Sequence, residues 1–225
     1  VDTGRAARAA GMDRGDIAVA CWACHHTVND LLVRGDRLED VAREIEGHLE
    51  FVRRARFRDV VDELVTQQRF VAALRGLTSE LGTFDGEGFE EAEFEASLVD
   101  GRMPTLAFWY WVFKGQLRFI AGRFEEAREA LRKATPWMSS AVQSQLVNYH
   151  LYSALAAGAG SDISTPKARA LTCATVMAHL QRLRAWRVCN PATFADKSEL
   201  VEAELARCEG RDLDAELHFE EAVRL

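Results

Sequence analysis

Proline interrupts this chain at only four places, Pro104, Pro136, Pro166 and Pro191, and with 15 glycines in 225 residues the two together fall below ordinary usage. A β-sandwich or barrel needs a turn about every 8–12 residues, usually built from Gly, Pro, Asn or Asp. So little punctuation excludes such folds and leaves long helices, which the abundant Ala favours. The intervening apolar residues recur at helical spacing, as in Leu106, Trp109/Tyr110, Phe113, Leu117 and Ile120. Phe108, Trp111, Val112 and Phe119 occupy the other faces of the same run, so that helix is apolar nearly all round and belongs in the interior.

The pattern predicts helices over 13–34, 37–55, 57–76, 104–121, 123–135, 139–157, 166–188, 193–209 and 211–225, with residues 1–11 as the tail of an earlier helix. Gly35, Gly122 and Gly210 sit just past predicted helix ends, where a left-handed C-cap suits glycine. Short connections imply antiparallel neighbours. The expected fold is therefore all-α, antiparallel helix pairs stacked as a degenerate tetratricopeptide-like α-solenoid, one array over 1–225. With no starting Met, the chain reads as a piece of a longer protein. Residues 77–103, holding Gly82, Gly86, Gly88 and Gly101, read as a loop insertion with a short helix near 89–98, of the kind that lies over a groove. Gly158 to Ser164 reads as a second flexible connector.

One helix pair carries a repeat grammar: Trp111, Gly115, Gly122, Ala127, Leu131, Ala134. Large residue, small residue, turn glycine, then two small residues around a bulky one is the tetratricopeptide spacing. The small residues let two helices approach and the bulky one fills the space between pairs. A partial second copy runs Ala203, Gly210, Ala215, Phe219, Ala222, with Glu199 at the large position.

Composition narrows the function. Hydrophobic residues at 48% and charged residues at 28% describe a folded chain. With 28 Lys+Arg against 35 Asp+Glu the net charge is −7, which argues against nucleic acid, since that partner needs a basic stripe. The longest apolar run, Leu106 to Phe113, is far short of the roughly 20 residues that span a bilayer. The N-terminus has no apolar signal segment. The five cysteines are irregularly spaced, which fits a reduced, cytoplasmic setting better than a disulfide framework.

The sharpest literal motif is Cys21-Trp22-Ala23-Cys24-His25, the C-x-x-C-H of covalent haem attachment. It lies in a helix whose apolar stripe (Ile17, Cys21, Cys24, Val28, Leu31/Leu32) includes both cysteines, so core cysteines are the preferred reading. A haem or metal redox protein is the remote alternative; His26 adds a ligand, but no second pair completes four. Gly82 to Gly88 is no phosphate loop, lacking Gly-Lys-Ser/Thr, and no EF-hand, so it reads as a turn-rich surface loop. Arg53, Arg54, Arg56 and Arg58 form a basic cluster preceded by Glu44, Glu46 and Glu50, either a solvated face with helix-surface ion pairs or a patch for a partner or anion. No paired-carboxylate, nucleophile-elbow, zincin or dinucleotide signature occurs.

Several segments together resemble a known family: Gly15-Asp16-Ile17 opening the helix with Cys24 and His26; Arg75-Gly76-Leu77-Thr78 leading to Leu81-Gly82, Phe84, Gly88-Phe89 and Phe94-Glu95; Trp109-Tyr110-Trp111 with Lys114, Gln116, Phe119 and Gly122; Tyr149-His150 with Tyr152; Asn190-Pro191 with Phe194; and Ala203-Glu204, Ala206-Arg207, Gly210-Arg211, Ala215 and Glu220-Glu221-Ala222. These resemble the helical-repeat region of large bacterial signalling proteins that join a kinase-like domain, a STAND-type AAA-related ATPase, a helical array, a GAF sensor and often a histidine kinase. The resemblance implies a regulatory array without an active site or cofactor of its own, the parent's nucleotide and phosphoryl chemistry lying in other domains.

The expectation is thus a non-catalytic sensing and interaction scaffold, binding other domains of the parent chain, a protein or peptide, or a small effector. The alternative is the inducer-binding helical domain of a STAND-type transcription regulator. Trp109, Trp111, Tyr149, His150 and Tyr152, with Arg53 and Arg54, are the candidate groove and partner residues. For the aromatic residues and His150, core packing is the competing reading.

Overall fold

A computed structural model of the chain describes residues 2–98, 102–140, 143–161 and 164–225. Among them the architecture is all-α, with helices packed in neighbouring pairs: α1 (Asp2–Asp13), α2 (Ile17–Arg34), α3 (Leu38–Ala55), α4 (Arg58–Leu74), α5 (Glu91–Ser97), α6 (Pro104–Ile120), α7 (Phe124–Ala134), α8 (Gln143–Gly160), α9 (Pro166–Cys189), α10 (Pro191–Glu209) and α11 (Asp212–Arg224), with a 3₁₀ turn at Thr135–Ser140. The chain forms two compact units, Val1–Leu117 with Ala134–Ala141, and Arg118–Lys133 with Val142–Leu225. The helix α6 gives most of its length to the first.

The helix boundaries follow the punctuation. Gly35 and Gly210 close α2 and α10 with φ of 77° and 79°, in the left-handed region where a side chain is strained. The first boundary differs from expectation: α1 runs on to Asp13, and α2 starts at Ile17 rather than 13. Gly15 turns the chain, and the Asp16 carboxylate accepts the Val19 N–H at 3.1 Å, a side-chain N-cap. The predicted 139–157 helix begins at Gln143, after the 3₁₀ turn. The 141–142 junction, and part of the 158–164 connector and of the 77–103 insertion, fall outside the described residues. The prediction for α10 was two residues short, because Pro191 sits in its first turn, where a missing N–H costs nothing.

In the first unit α1 packs on α2, α2 on α3, α3 on α4, and α2 also touches α4. Valines, leucines and Ile45 of α2–α4, with Cys21 and Cys24, make one apolar core. The helix α1 is more than the stub expected: its glycines seat it on α2. A Cβ on Gly4 would lie 2.3 Å from Thr27 Oγ1, and one on Gly11 would lie 2.9 Å from both Ala20 N and Asp16 O. Residues 4 and 11 facing 27 and 20 make the pair antiparallel. Because Gly11 meets backbone, Gly11→Val should lower stability by about 1–3 kcal/mol in thermal or urea unfolding. Gly47 inside α3 meets nothing within 4 Å, and Gly47→Ala should raise stability by about 0.5–1 kcal/mol.

In the second unit α8, α9, α10 and α11 pack in succession, and α8 also touches α10. Leu151, Leu155, Val176, Leu180, Leu183, Val201 and Leu205 form its core. Of the repeat-grammar residues, Trp111, Ala127, Leu131, Ala134, Ala203 and Ala215 are buried, whereas Phe219 is exposed and Ala222 half-buried. Glu199, at the position of the missing large residue, takes another role. Its carboxylate lies 2.6 Å from Arg187 Nη1 of α9 and 2.6 Å from His218 Nδ1 of α11, tying three helices together.

Candidate functional site

The predicted aromatic residues go to the interior. Leu106 through Phe113 are all buried, Trp109 at 1% and Trp111 at 9% exposure. A helix apolar on every face satisfies each of them by packing, so Trp109 and Trp111 are core rather than groove lining. Tyr149 and His150 are likewise buried in the second unit, and half-buried Tyr152 packs on that unit's core. His150 Nδ1 lies 2.9 Å from His179 Nδ1 across α8 and α9. Burial drives His150 down to about 4, helped by His179 and Arg182, so it is a neutral packing histidine. Arg53 and Arg54 are exposed near the end of α3, and Arg54 pairs with Glu50 one turn away. That is the solvated-face arrangement.

The C-x-x-C-H residues are interior too. Cys21 and Cys24 have no exposure and lie in the first unit's apolar core. The Cys24 thiol donates to the Ala20 carbonyl, and burial pushes it up to about 11. Protonated thiols in an apolar setting are inert. Among the described residues no group of three or more His, Cys, Asp or Glu is placed to hold a metal ion. His25 packs its ring against Trp109, centroids 4.4 Å apart and planes inclined by 59°.

What the motif hides is a buried polar cluster that α2, α4 and α6 assemble. His25 Nδ1 lies 3.6 Å from Glu63 Oε2, with both side chains 2% exposed or less. Gln67 Nε2 donates to the His25 carbonyl at 3.1 Å. Yet among the described residues His25 Nδ1, both Glu63 oxygens, Gln67 Oε1, Thr105 Oγ1 and Trp109 Nε1 are buried without a well-formed hydrogen bond. Desolvation raises Glu63 to about 8, assisted by Asp59 and opposed by the nearby Thr105 hydroxyl, while burial and His26 hold His25 well below the usual imidazole range. The cluster is therefore uncharged near neutral pH, with a carboxylic acid rather than a carboxylate in the core. One signal for it was present in the sequence: Glu63 and Gln67 interrupt the stripe Val60, Leu64, Val71 on α4.

The insertion is also built inward. Expected as a surface loop, it buries Gly82, Thr83 and Phe84, the last with no exposure and its ring edge-on to Tyr110 at 5.7 Å. Glu91 organises it: one carboxylate oxygen accepts the Phe84 N–H at 2.6 Å, and the other lies 2.7 Å from Lys114 Nζ of α6. Lys114 also binds Glu95, which accepts the Tyr110 hydroxyl at 2.8 Å. Removing one member of a desolvated ion network strands the others. Lys114→Met should therefore cost about 2–4 kcal/mol and speed amide hydrogen exchange selectively over residues 83–95.

One surface departs from this economy. The helix α11 buries only Ala215, while Leu213, Leu217 and Val223 are 78%, 64% and 89% exposed and Phe219 is 36% exposed. Leu213 and Leu217, one turn apart, share a stripe opposite Ala215, while Phe219 and Val223 lie on another side of the helix beyond Glu216 and Glu220; Asp212, Asp214 and Glu221 add to the acidic surroundings.

Among the described residues no helix is long and apolar enough to cross a membrane. Comparison with family models, curated proteins and solved structures finds no match.

Proposed function

We propose that this chain is a non-catalytic interaction and sensing scaffold, a helical-repeat region of a multidomain bacterial signalling protein whose ATPase and kinase chemistry resides in other domains. The exposed apolar residues of α11 carry the reading. A helix that seats one side on α10 through Ala215 and leaves Leu213, Leu217 and Val223 in solvent is apolar on two sides, which suits a helix covered on both. Its acidic border favours a partner helix with basic flanks. The partner is a neighbouring domain of the same parent or a separate protein. The buried, protonated thiols and the acidic net charge also support binding over catalysis or nucleic-acid contact. A cytoplasmic location belongs to the same proposal.

The open reading frame around the segment tests it. A phosphate-loop ATPase before it and a GAF or kinase module after it are expected. A helix-turn-helix after it would replace this reading with the inducer-binding domain of a STAND-type regulator, and a frame with neither kind of domain would overturn both. Leu217→Lys with Val223→Lys should leave the melting temperature nearly unchanged, since both residues are exposed, and should abolish docking of the flanking segment supplied in trans.

A further inference from the structure

A cleft of about 330 Å³ opens in the first unit where α3, α4 and the start of the insertion meet. That volume is at the lower end of the roughly 300–1,000 Å³ that small-molecule sites occupy. Its wall includes Ala42, Ala72 and Leu77, and its charged residues are Arg69, Arg75, Glu46 and Glu87. Both signs are present, yet they do not neutralise one another. Several arginines elsewhere in the chain pair with nearby carboxylates, Arg54 with Glu50, Arg128 with Glu125, Arg132 with Glu129 and Arg207 with Glu204. Among the described residues the side chains of Arg75, Glu46 and Glu87 have no ion-pair or hydrogen-bond partner.

Arg69 is held in place rather than loose. Its Nε donates to the Phe84 carbonyl at 2.8 Å, and its guanidinium sits over the Phe89 ring at 5.3 Å. Gly86 makes room for it, because a Cβ there would come within 2.4 Å of Nη2. Nη2 itself is buried against Gly86 with no hydrogen-bond partner among the described residues, so the fold fixes this guanidinium, and Nη2 is not one of the atoms that the cleft presents. A pinned cation costs less to organise around an anion than a mobile one, and the guanidinium fork matches a carboxylate.

We propose that this cleft binds a small zwitterion of the amino-acid class, its carboxylate on Arg69 and Arg75, its ammonium on Glu46 and Glu87, and an aliphatic side chain against Ala42, Ala72 and Leu77. An anion alone would leave two carboxylates facing it, and a cation alone would leave two guanidiniums; a molecule carrying both charges satisfies all four groups. The site stands independently of the scaffold reading, since it needs neither α11 nor any flanking domain.

Isothermal titration of the 225-residue chain with each of the common amino acids tests it, with 4-methylpentanoate and isoamylamine as the acid-only and amine-only counterparts of leucine. Binding of at least one aliphatic amino acid is expected, and for leucine each counterpart should bind at least about tenfold more weakly. A charge-assisted hydrogen bond is worth that much or more. Arg75→Gln and Glu46→Gln should each weaken binding at least about tenfold with unchanged helicity and melting temperature, because both residues are exposed and partnerless; Arg69→Met should abolish it. Absence of binding heat at 10 mM (about the weakest affinity worth calling a site) overturns the proposal. So does equal binding of the acid-only or amine-only analogue, or unchanged affinity in both exposed variants.

Discussion

Replacing Glu63 by Gln is expected to make the protein more stable at pH 8, by about 4 kcal/mol, and to leave its stability near pH 4.5 almost unchanged. Glu63 titrates at an ordinary 4.5 when the chain is unfolded and at about 8 in the folded core. Between those values the folded state holds a proton that the unfolded state has released, so stability falls as pH rises through the window. Below about 4.5 both states are protonated and the penalty vanishes; above about 8 it is complete. Glutamine supplies a neutral polar group of the same shape at every pH, so the variant should lose most of this slope. His25 works in the opposite direction. Its folded value is depressed, so its contribution is present above the ordinary imidazole range and is lost as pH falls below about 6.5. Burial depresses His26, His48, His150 and His179 as well, and they add to that acid limb. Wild type should thus lose stability both as pH rises toward 8 and as it falls below about 6.5, and E63Q should keep only the acid limb. Urea titrations at several pH values measure both limbs; parallel wild-type and E63Q profiles would place a charged carboxylate in the core and refute the assignment.

Trp109→Ala is expected to cost about 3–5 kcal/mol, the range for removing a large aromatic side chain from a core. The ring is 1% exposed, packs against His25 at 4.4 Å and meets Phe113 at 5.9 Å. A loss of that size can consume a large share of a domain's stability, so Trp109→Phe, which keeps an aromatic ring, should show a smaller fall in melting temperature. A Trp109→Ala chain that melted with wild type would mean that the ring is not packed, and would restore it to a surface role. Deleting Trp109 should also change how His25 titrates, since the ring helps to exclude water from the cluster.

The helices were legible because their signals are short-range. A proline in a first turn, a left-handed glycine after a last turn and a 3.6-residue stripe act within a few residues, and the pattern places the ends of α3, α6, α9 and α10 within a residue or two. The α1–α2 junction was missed by four residues, since the Asp16 cap and the Gly15 turn compete with a helical pattern that runs straight through them. The inward fold of the insertion was hidden because Glu91 and Lys114 lie 23 residues apart, and nothing local says that a lysine on α6 will hold a loop glutamate.

For the candidate site the sequence named residue types more reliably than roles. The stripe placed Cys21 and Cys24 in the core, where they are. It could not say which of the aromatic residues on an all-apolar helix reach a surface, because every face of α6 carries the same signal; that depends on which neighbours arrive. Glu63 was legible only as an acid on an apolar stripe, and Arg69 carried no signal at all. The sequence by itself determined an all-α chain, most of its helix boundaries and the absence of known catalytic signatures, through interactions that close within one helix turn. Only the tertiary structure decided that His25 and Glu63 share a desolvated cluster, that charges of both signs border one cleft, and that Leu213, Leu217 and Val223 of α11 are left in solvent. Desolvation, ion pairing and burial depend on segments distant in sequence, and no local pattern encodes which of them meet.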